Sequence, residues 1–281
     1  MASAPASFVW TGDSLVERDL AAHRALLAAD SWFVTPAGSV RALDAHRTRF
    51  LAAASRQGAR GGRSDTGTPS ESEVAAFWSA SMGRLRSFKA DGEDAPGGDA
   101  GLFPRVELAE TDDGRRELRL RVRVAPRRRS SAVLVTHDGP DPRREPRVKG
   151  PDLEHLIALR AAAQENGADE LVLLDHGLVT DGASSALLWW RGDVLAAPAG
   201  DLARVDSVTA RSIRLIATAT GTRVVEERAR PGDLEGCELW IVSALHGISV
   251  VDHWIGGPAL DPRPRRAVTW NRRLEALRRP L

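Results

Sequence analysis

The chain has no tyrosine, a single cysteine at Cys237, and only two lysines, Lys89 and Lys149, among its 39 basic residues. One cysteine excludes an internal disulfide framework and fits a reducing compartment. Scarce lysine narrows any chemistry that needs a primary amine, such as imine formation with an aldehyde, because arginine cannot supply one. Long apolar runs are also missing. No window holds about 18 consecutive apolar residues, and Met1 to Phe8 lacks a basic region followed by an apolar stretch, so a soluble, cytoplasmic protein is expected. Neither sign of charge dominates: 39 basic residues against 38 acidic give a net charge of +1. Such a balance provides no bulk field toward nucleic acid or a membrane. The seven histidines form no i, i+4 pair, so no metal site is expected.

What is present is ample chain for a core: 281 residues read as two domains, 1–125 and 149–281, joined by a connector over 126–148. Apolar residues at helical spacing predict a helix over Leu15 to Ala29. A short hairpin follows, with Asp30 to Val34 outgoing, a turn at Pro36 to Ser39 and Val40 to Leu43 returning. Asp44 then caps a helix carrying His46, Arg49 and Phe50. Gln57 to Ser70 and Ala90 to Gly101 reduce to Gly, Arg, Ser, Thr, Asp and Pro and read as mobile loops. Between them Val74 to Phe88 reads as a helix with Val74, Phe77, Trp78 and Met82 on one side. Phe103 to Leu108 and the alternating Leu118 to Val124 form a hairpin, its arginines on a solvated face and its aliphatics on the other.

Lys149 follows a Pro- and Arg-rich stretch, Pro140 to Arg147, and precedes a helix with Asp152 as cap and Leu153, Leu156, Ile157 and Ala161 as apolar positions. After Asn166-Gly167 come strands at Leu171 to Leu174, Leu178 to Gly182, Leu187 to Trp190 and Val194 to Ala196. A helix capped by Ser207 and ended by Gly221 follows. Beyond it lie a strand over Thr222 to Ala229, a helical turn at Asp233 to Gly236, and strands at Leu239 to Val242 and Ile248 to Val251. The basic tail past Ile255 is helical at best. Gly182 to Ala186 has the look of a nucleophile elbow, but that motif needs a helix after the serine, and a strand follows here.

Four stretches carry a resemblance when taken in order. They are Asp44-Ala45-His46-Arg47-Thr48-Arg49-Phe50; Lys149 with Gly167 to Asp175 and Gly177 to Gly182; Ser207-Val208-Thr209; and Glu238 to Leu245. Together the chain resembles the class IV aminotransferases, the fold-type IV pyridoxal phosphate enzymes. That family includes branched-chain and D-amino acid aminotransferases and 4-amino-4-deoxychorismate lyase. The resemblance implies an α+β, two-domain fold: a smaller N-terminal α/β domain and a larger C-terminal domain with a mixed sheet or barrel. It further implies a homodimer.

The resemblance also implies an enzyme that binds pyridoxal 5'-phosphate through a Schiff base with Lys149. That enzyme would move an amino group between a small amino acid and a 2-oxo acid, with Lys149 as anchor and proton carrier. Asp181 would face the pyridine nitrogen. Val208, Thr209, Ser243, Ala244 and Arg49 would hold the phosphate, and Arg105 and His246 the substrate. Several positions depart from the family pattern. Asp181 stands where Glu is usual, Ala186 where Asn is common, and Ala210 where Arg commonly follows the threonine. Arg211, one residue later, points about 100° away on the helix. A tyrosine used near the cofactor hydroxyl in some members has no counterpart. Two rivals remain on these grounds: a lyase releasing pyruvate to give 4-aminobenzoate, suggested by Glu238 to Leu245, and a non-catalytic protein that keeps the scaffold.

Overall fold

The computed structural model describes residues 6–20, 23–60, 67–90 and 100–281. Of the two expected loops, residues 61–66 and 91–99 lie outside them, whereas Gln57 to Arg60 is the last turn of a helix rather than loop. The chain forms two compact units. One is Met1–Arg127 with Val148–Pro151 and Arg278–Leu281; the other is Arg128–Arg147 with Asp152–Leu277. Residues 128–147 of the expected connector are therefore part of the second unit, and Lys149 belongs to the first.

In the first unit, β1 (Ala6–Trp10), β2 (Leu15–Glu17), β3 (Ala25–Ser31), β5 (Arg105–Glu110) and β6 (Arg116–Val122) form a five-stranded sheet in the order β2-β1-β6-β5-β3. Val106 and Leu108 of β5 and Leu118, Leu120 and Val122 of β6 face a core shared with Phe50, Phe77, Trp78 and Leu85 of α1 (Leu43–Arg60) and α2 (Glu71–Ala90). Val74, Phe77, Trp78 and Met82 are all buried, as their spacing predicts.

Three expectations fail here. No helix covers Leu15 to Ala29, because pairing of β3 with β5 outweighs the helical preference of an Ala- and Leu-rich run. The hairpin does not pair its own arms: β4 (Ser39–Arg41) pairs with β15 (Arg278–Pro280). Its turn is closed by the Thr35 N–H donating to the Ser39 carbonyl at 3.0 Å. Helix α1 starts at Leu43, so Asp44 lies in its first turn rather than at its cap. Nor is the arginine face of β6 solvated throughout. Arg119 is fully buried, bound to Glu117, and Glu107 opposite it is buried as well.

The second unit is built on an eight-stranded mixed sheet of β7 (Ser131–Thr136), β8 (Glu170–Asp175), β9 (Leu178–Gly182), β10 (Ala186–Arg191), β11 (Val194–Pro198), β12 (Val224–Glu227), β13 (Glu238–Ser243) and β14 (Gly247–Ile255). Its strand order is β12-β11-β10-β13-β14-β7-β8-β9. Strands buried on both faces read as continuous apolar runs, and β10 does so as Ala-Leu-Leu-Trp-Trp. Leu188 and Trp190 join Trp240 and Val242 against α4 (Val208–Ala219) and α5 (Pro264–Glu275). Leu187 and Trp189 join Leu239 and Ile241 on the opposite face.

Trp189, Trp190 and Trp240 are thus consumed by the unit's own core. Helix α3 (Leu153–Glu165) buries only Ala163 and leaves Ile157 exposed, against the expected apolar face. Asp152 makes no side-chain cap bond; its Oδ2 instead accepts the Glu145 N–H at 3.0 Å. The basic tail forms α5 and then returns as β15, a strand the sequence does not signal.

Candidate active site

Lys149 is positioned by its backbone. Its carbonyl accepts the Ala29 N–H of β3 at 2.7 Å. Such closeness demands glycine next door: Gly150 has φ +138°, and a Cβ there would lie 2.7 Å from the Ala28 carbonyl carbon. Val148, on the other side, packs against the first unit's core. Lys149 is therefore held as an extra rung on the free edge of β3.

One residue along β3, Asp30 is fully buried and gathers three groups. Its carboxylate accepts a forked pair from Arg49, Nε to Oδ2 and Nη2 to Oδ1, both at 2.8 Å. His46 Nδ1 lies 2.8 Å from Oδ1, and the Ser31 N–H donates at 2.7 Å. Burial opposes Asp30's charge, but Arg49 and then His46 outweigh it and hold the carboxyl well below the usual range. For His46, burial lowers the pKa, Asp30 pulls it back, and the charges of Arg49 and Lys149 depress it further. The Asp30–His46–Arg49 network thus lies within the electrostatic reach of Lys149.

In the second unit Asp181 sits near the end of β9, 5% exposed. Its Oδ2 accepts from Arg143 Nη1 at 3.0 Å and from the Val205 N–H at 3.3 Å; Oδ1 makes neither contact. Arg143 is itself held by Asp141, with Nη2 at 2.7 Å from Oδ2. Burial pushes Asp181 up to about 6, against the pull of Arg143 and Arg204. A carboxylate so poised responds strongly to any cationic group placed beside it.

Helix α4 presents its start close by in sequence. Ser207 caps it, its hydroxyl accepting the Ala210 N–H at 3.2 Å, and Val208 and Thr209 are buried in its first turn. Backbone N–H groups and the positive end of the helix dipole favour an anion at such a start. Ser243, at the end of β13, accepts the His246 N–H on its Oγ at 3.1 Å, which folds Ala244 into the tight turn before Gly247. His246 Nδ1 accepts the Arg129 N–H at 3.2 Å. Burial, followed by the charges of Arg129, Arg160 and Arg128, drives His246 down to about 4. At neutral pH the ring is therefore uncharged.

Of the residues singled out from sequence, Lys149, Arg49 and Arg105 lie in the first unit, and Asp181, Val208, Thr209, Ser243, Ala244 and His246 in the second. Arg105 is engaged with Glu107, Nε to Oε1 at 2.5 Å. Sequence reasoning missed Asp30 and Arg143. Asp30 had a readable signal, since an acid inside the apolar run Leu26 to Val34 requires a buried partner. Arg143 had none, because a Pro-Arg-Arg stretch reads as solvated turn. Gly182 to Ala186 also finds its explanation. The hydroxyls of Ser184 and Ser185 both donate to the buried Glu170 Oε2, at 2.5 and 3.0 Å, so this turn anchors a buried carboxylate and is not a nucleophile.

The family model for class IV amino-transferases matches residues 101–254, more than half of the chain. The chain belongs to the class IV aminotransferase family. No curated protein matches it. Among solved structures it is similar to the fold IV transaminase CpuTA1 from Curtobacterium pusillum, at 17% identity over 97% of this chain and 99% of that one, TM-score 0.77. A hypothetical aminotransferase from Mycobacterium tuberculosis in its PLP-bound form gives 17%, 96%, 98% and 0.74. A branched-chain aminotransferase from Thermoproteus uzoniensis with norvaline gives 15%, 97%, 96% and 0.75. Identities this low establish the fold, and the expected fold-type IV architecture is borne out. Within the segment that matches the class IV model, Lys149 is the only lysine.

Proposed function

We propose that this class IV enzyme is a pyridoxal 5'-phosphate-dependent aminotransferase acting on a small amino acid and a 2-oxo acid. The observation that carries the reading is Lys149: the one lysine in the family segment, fixed by a backbone bond to β3 beside the Asp30–His46–Arg49 network. The structurally similar M. tuberculosis protein has been seen with PLP, and with PMP and alpha-ketoglutarate.

The residues fit the cofactor's chemistry. Asp181 is a buried carboxylate with an oxygen outside its arginine contact, suited to hold a protonated ring nitrogen. Val208 and Thr209 at a helix start, with Ser243 and Ala244 in a tight turn, suit a phosphate, with Arg49 as a charged contributor. When bound, the cofactor supplies the electron sink that makes the substrate Cα–H acidic. The rest belongs to the chain. Lys149 Nζ takes the Cα proton and returns it, Asp181 keeps its charge opposite the ring nitrogen, and Arg105 fixes a substrate carboxylate. His246, neutral, contributes through its loop rather than through charge. The homodimer implied by the resemblance is part of this proposal.

Borohydride reduction followed by peptide mapping tests the anchor. The label is expected on Lys149 and absent from Lys149→Ala; a label on Lys89, or none in the wild type, overturns the reading. Visible spectra with single D- and L-amino acids then report the substrate's hand. Release of 4-aminobenzoate from aminodeoxychorismate, without amino transfer to any 2-oxo acid, would replace the transaminase by the lyase.

A further inference from the structure

A cleft opens in the second unit where two elements end side by side. Strand β10 finishes in Trp190-Arg191 and turns through Gly192-Asp193 into Val194 of β11, while α4 gives way to Gly221, whose φ of +73° leads the chain into Thr222 and Arg223. Helix α5 packs against the same core and completes the enclosure. The cleft measures about 490 Å3, a size common to small-molecule sites, and its walls include Trp190, Val194, Thr222, Arg223, Trp270 and Arg273. Its floor is rigid, because Trp190, Trp240 and Trp270 meet edge to face with ring centroids 5.4 to 6.0 Å apart. Trp190 pairs with Glu238 at the start of β13, and the Ser243 turn closes the other end of that strand. At about 3.3 Å per residue the cleft and that turn lie roughly 16 Å apart.

Charge in the cleft is unevenly met. Arg266 is engaged on every side: its guanidinium lies 4.3 Å from the Trp190 ring centroid, Nη1 donates to the Gly192 carbonyl at 3.1 Å, and Glu238 Oε2 and Asp193 Oδ1 stand at 3.2 and 3.6 Å. Arg273 lies 4.9 Å from the Trp270 ring centroid. Among the described residues, neither Arg273 nor Arg223 meets a carboxylate, and the Thr222 hydroxyl makes no hydrogen bond. The buried Nε1 of Trp190 also has no acceptor. The carbonyls at the end of α4 do not engage these arginines either, since those of Ile216, Ala217 and Thr218 accept the N–H groups of Thr220, Gly221 and Thr222. Two unmatched guanidiniums and a hydroxyl therefore stand on the walls of an indole-floored cleft. A phosphate monoester carries close to two negative charges at pH 7 and presents three acceptor oxygens. That head matches both guanidiniums and the hydroxyl, and a flat ring attached to it covers the indoles. A single carboxylate would leave one guanidinium unmatched, and inorganic phosphate would leave the floor bare.

We propose that this cleft binds an aromatic phosphate monoester, with the phosphate between Arg223 and Arg273 and the ring against Trp190 and Trp270. Two sources share that chemistry: a free phosphorylated pyridine of the cofactor type, and a nucleoside monophosphate. Nothing in the cleft depends on the aminotransferase reading, since none of its side chains is assigned to the chemistry of Lys149.

The full chain is first treated with pyridoxal 5'-phosphate and borohydride, so that the phosphate-holding groups around Thr209 and Ser243 are filled before the cleft is probed. Calorimetric titration should then show phenyl phosphate binding about tenfold or more tightly than either inorganic phosphate or benzoate. Arg223→Gln and Arg273→Gln should each weaken phenyl phosphate about tenfold. Both arginines are exposed, so circular dichroism should show the fold unchanged; Arg273→Lys, which keeps the charge, should retain part of the affinity and serves if a glutamine variant misfolds. Pyridoxine 5'-phosphate, which has no aldehyde to form an imine, and adenosine 5'-monophosphate separate the two sources, and the tighter binder names the source. Failure of both to bind, equal affinity for phenyl phosphate and inorganic phosphate, or affinities untouched by either arginine variant overturns the proposal. The arginine variants locate the ligand whether or not the borohydride adduct forms, so absence of the adduct would sink the aminotransferase reading alone.

Discussion

At the scale of single residues two buried carboxylates, one in each unit, solve opposite problems. Asp30 is buried yet strongly ionised because Arg49 and His46 converge on it, whereas burial outweighs Arg143 and Arg204 at Asp181. Asp181→Asn should therefore cost turnover about 2 kcal/mol, roughly thirtyfold, by removing the charge opposite the ring nitrogen. Unchanged turnover would reduce Asp181 to a turn residue. The same substitution has a stability signature in the cofactor-free protein. A carboxyl raised from 3.8 to about 6 contributes stability that is complete below pH 3.8 and lost as pH rises through 6. The melting temperature of Asp181→Asn should accordingly improve relative to wild type between pH 4 and 7. His246 works with the opposite sign. A histidine lowered from 6.5 to about 4 contributes stability present above pH 6.5 and lost as pH falls through 4. His246→Gln, which keeps an acceptor for the Arg129 N–H, should flatten acid destabilisation in that window. Identical melting curves across it would show that His246 is more exposed in solution.

At the scale of elements, much of the second unit was legible. Strands β8 to β11, β13 and β14 lie where apolar runs and Asn-Gly, His-Gly or Gly-Asp turns place them, and α4 begins at the cap residue Ser207. What could not be read was long-range pairing. Leu15 to Ala29 has helical composition, and only β5, some eighty residues on, makes Ala25–Ser31 a strand. The arginines of β6 looked solvated because alternation reports two faces but not what covers each one. The site divides in the same way. Lys149, Asp181 and Thr209 were singled out through motif order, Asp30 was readable only as an acid inside an apolar run, and Arg143 depends on Asp181, 38 residues on. The contact between Gly150 and β3 is an element-scale hinge for the chemistry. Gly150→Ala puts a Cβ against the Ala28 backbone at φ +138°, which should cost on the order of 1–3 kcal/mol and displace Lys149. Thermal melting and the yield of borohydride-trapped cofactor should fall together; a normal yield in a destabilised variant would mean that Lys149 is placed by something else.

At the scale of the whole molecule, the resemblance to class IV enzymes predicts a homodimer. Light scattering on the cofactor-loaded protein should give twice the 30.3 kDa chain mass; an active monomer at micromolar concentration would end that expectation. No helix among the described residues is long and apolar enough to cross a membrane. The pairing of β4 with β15 has a bearing on how the chain is made. Ser39–Arg41 leaves the ribosome about 240 residues before Arg278–Pro280, its only strand partner among the described residues. At about 5–20 residues per second, that edge of the first unit waits unpaired for tens of seconds. The N-terminal unit is thus the first to be synthesised and among the last to be completed, and its open edge is where a chaperone would find this chain during translation.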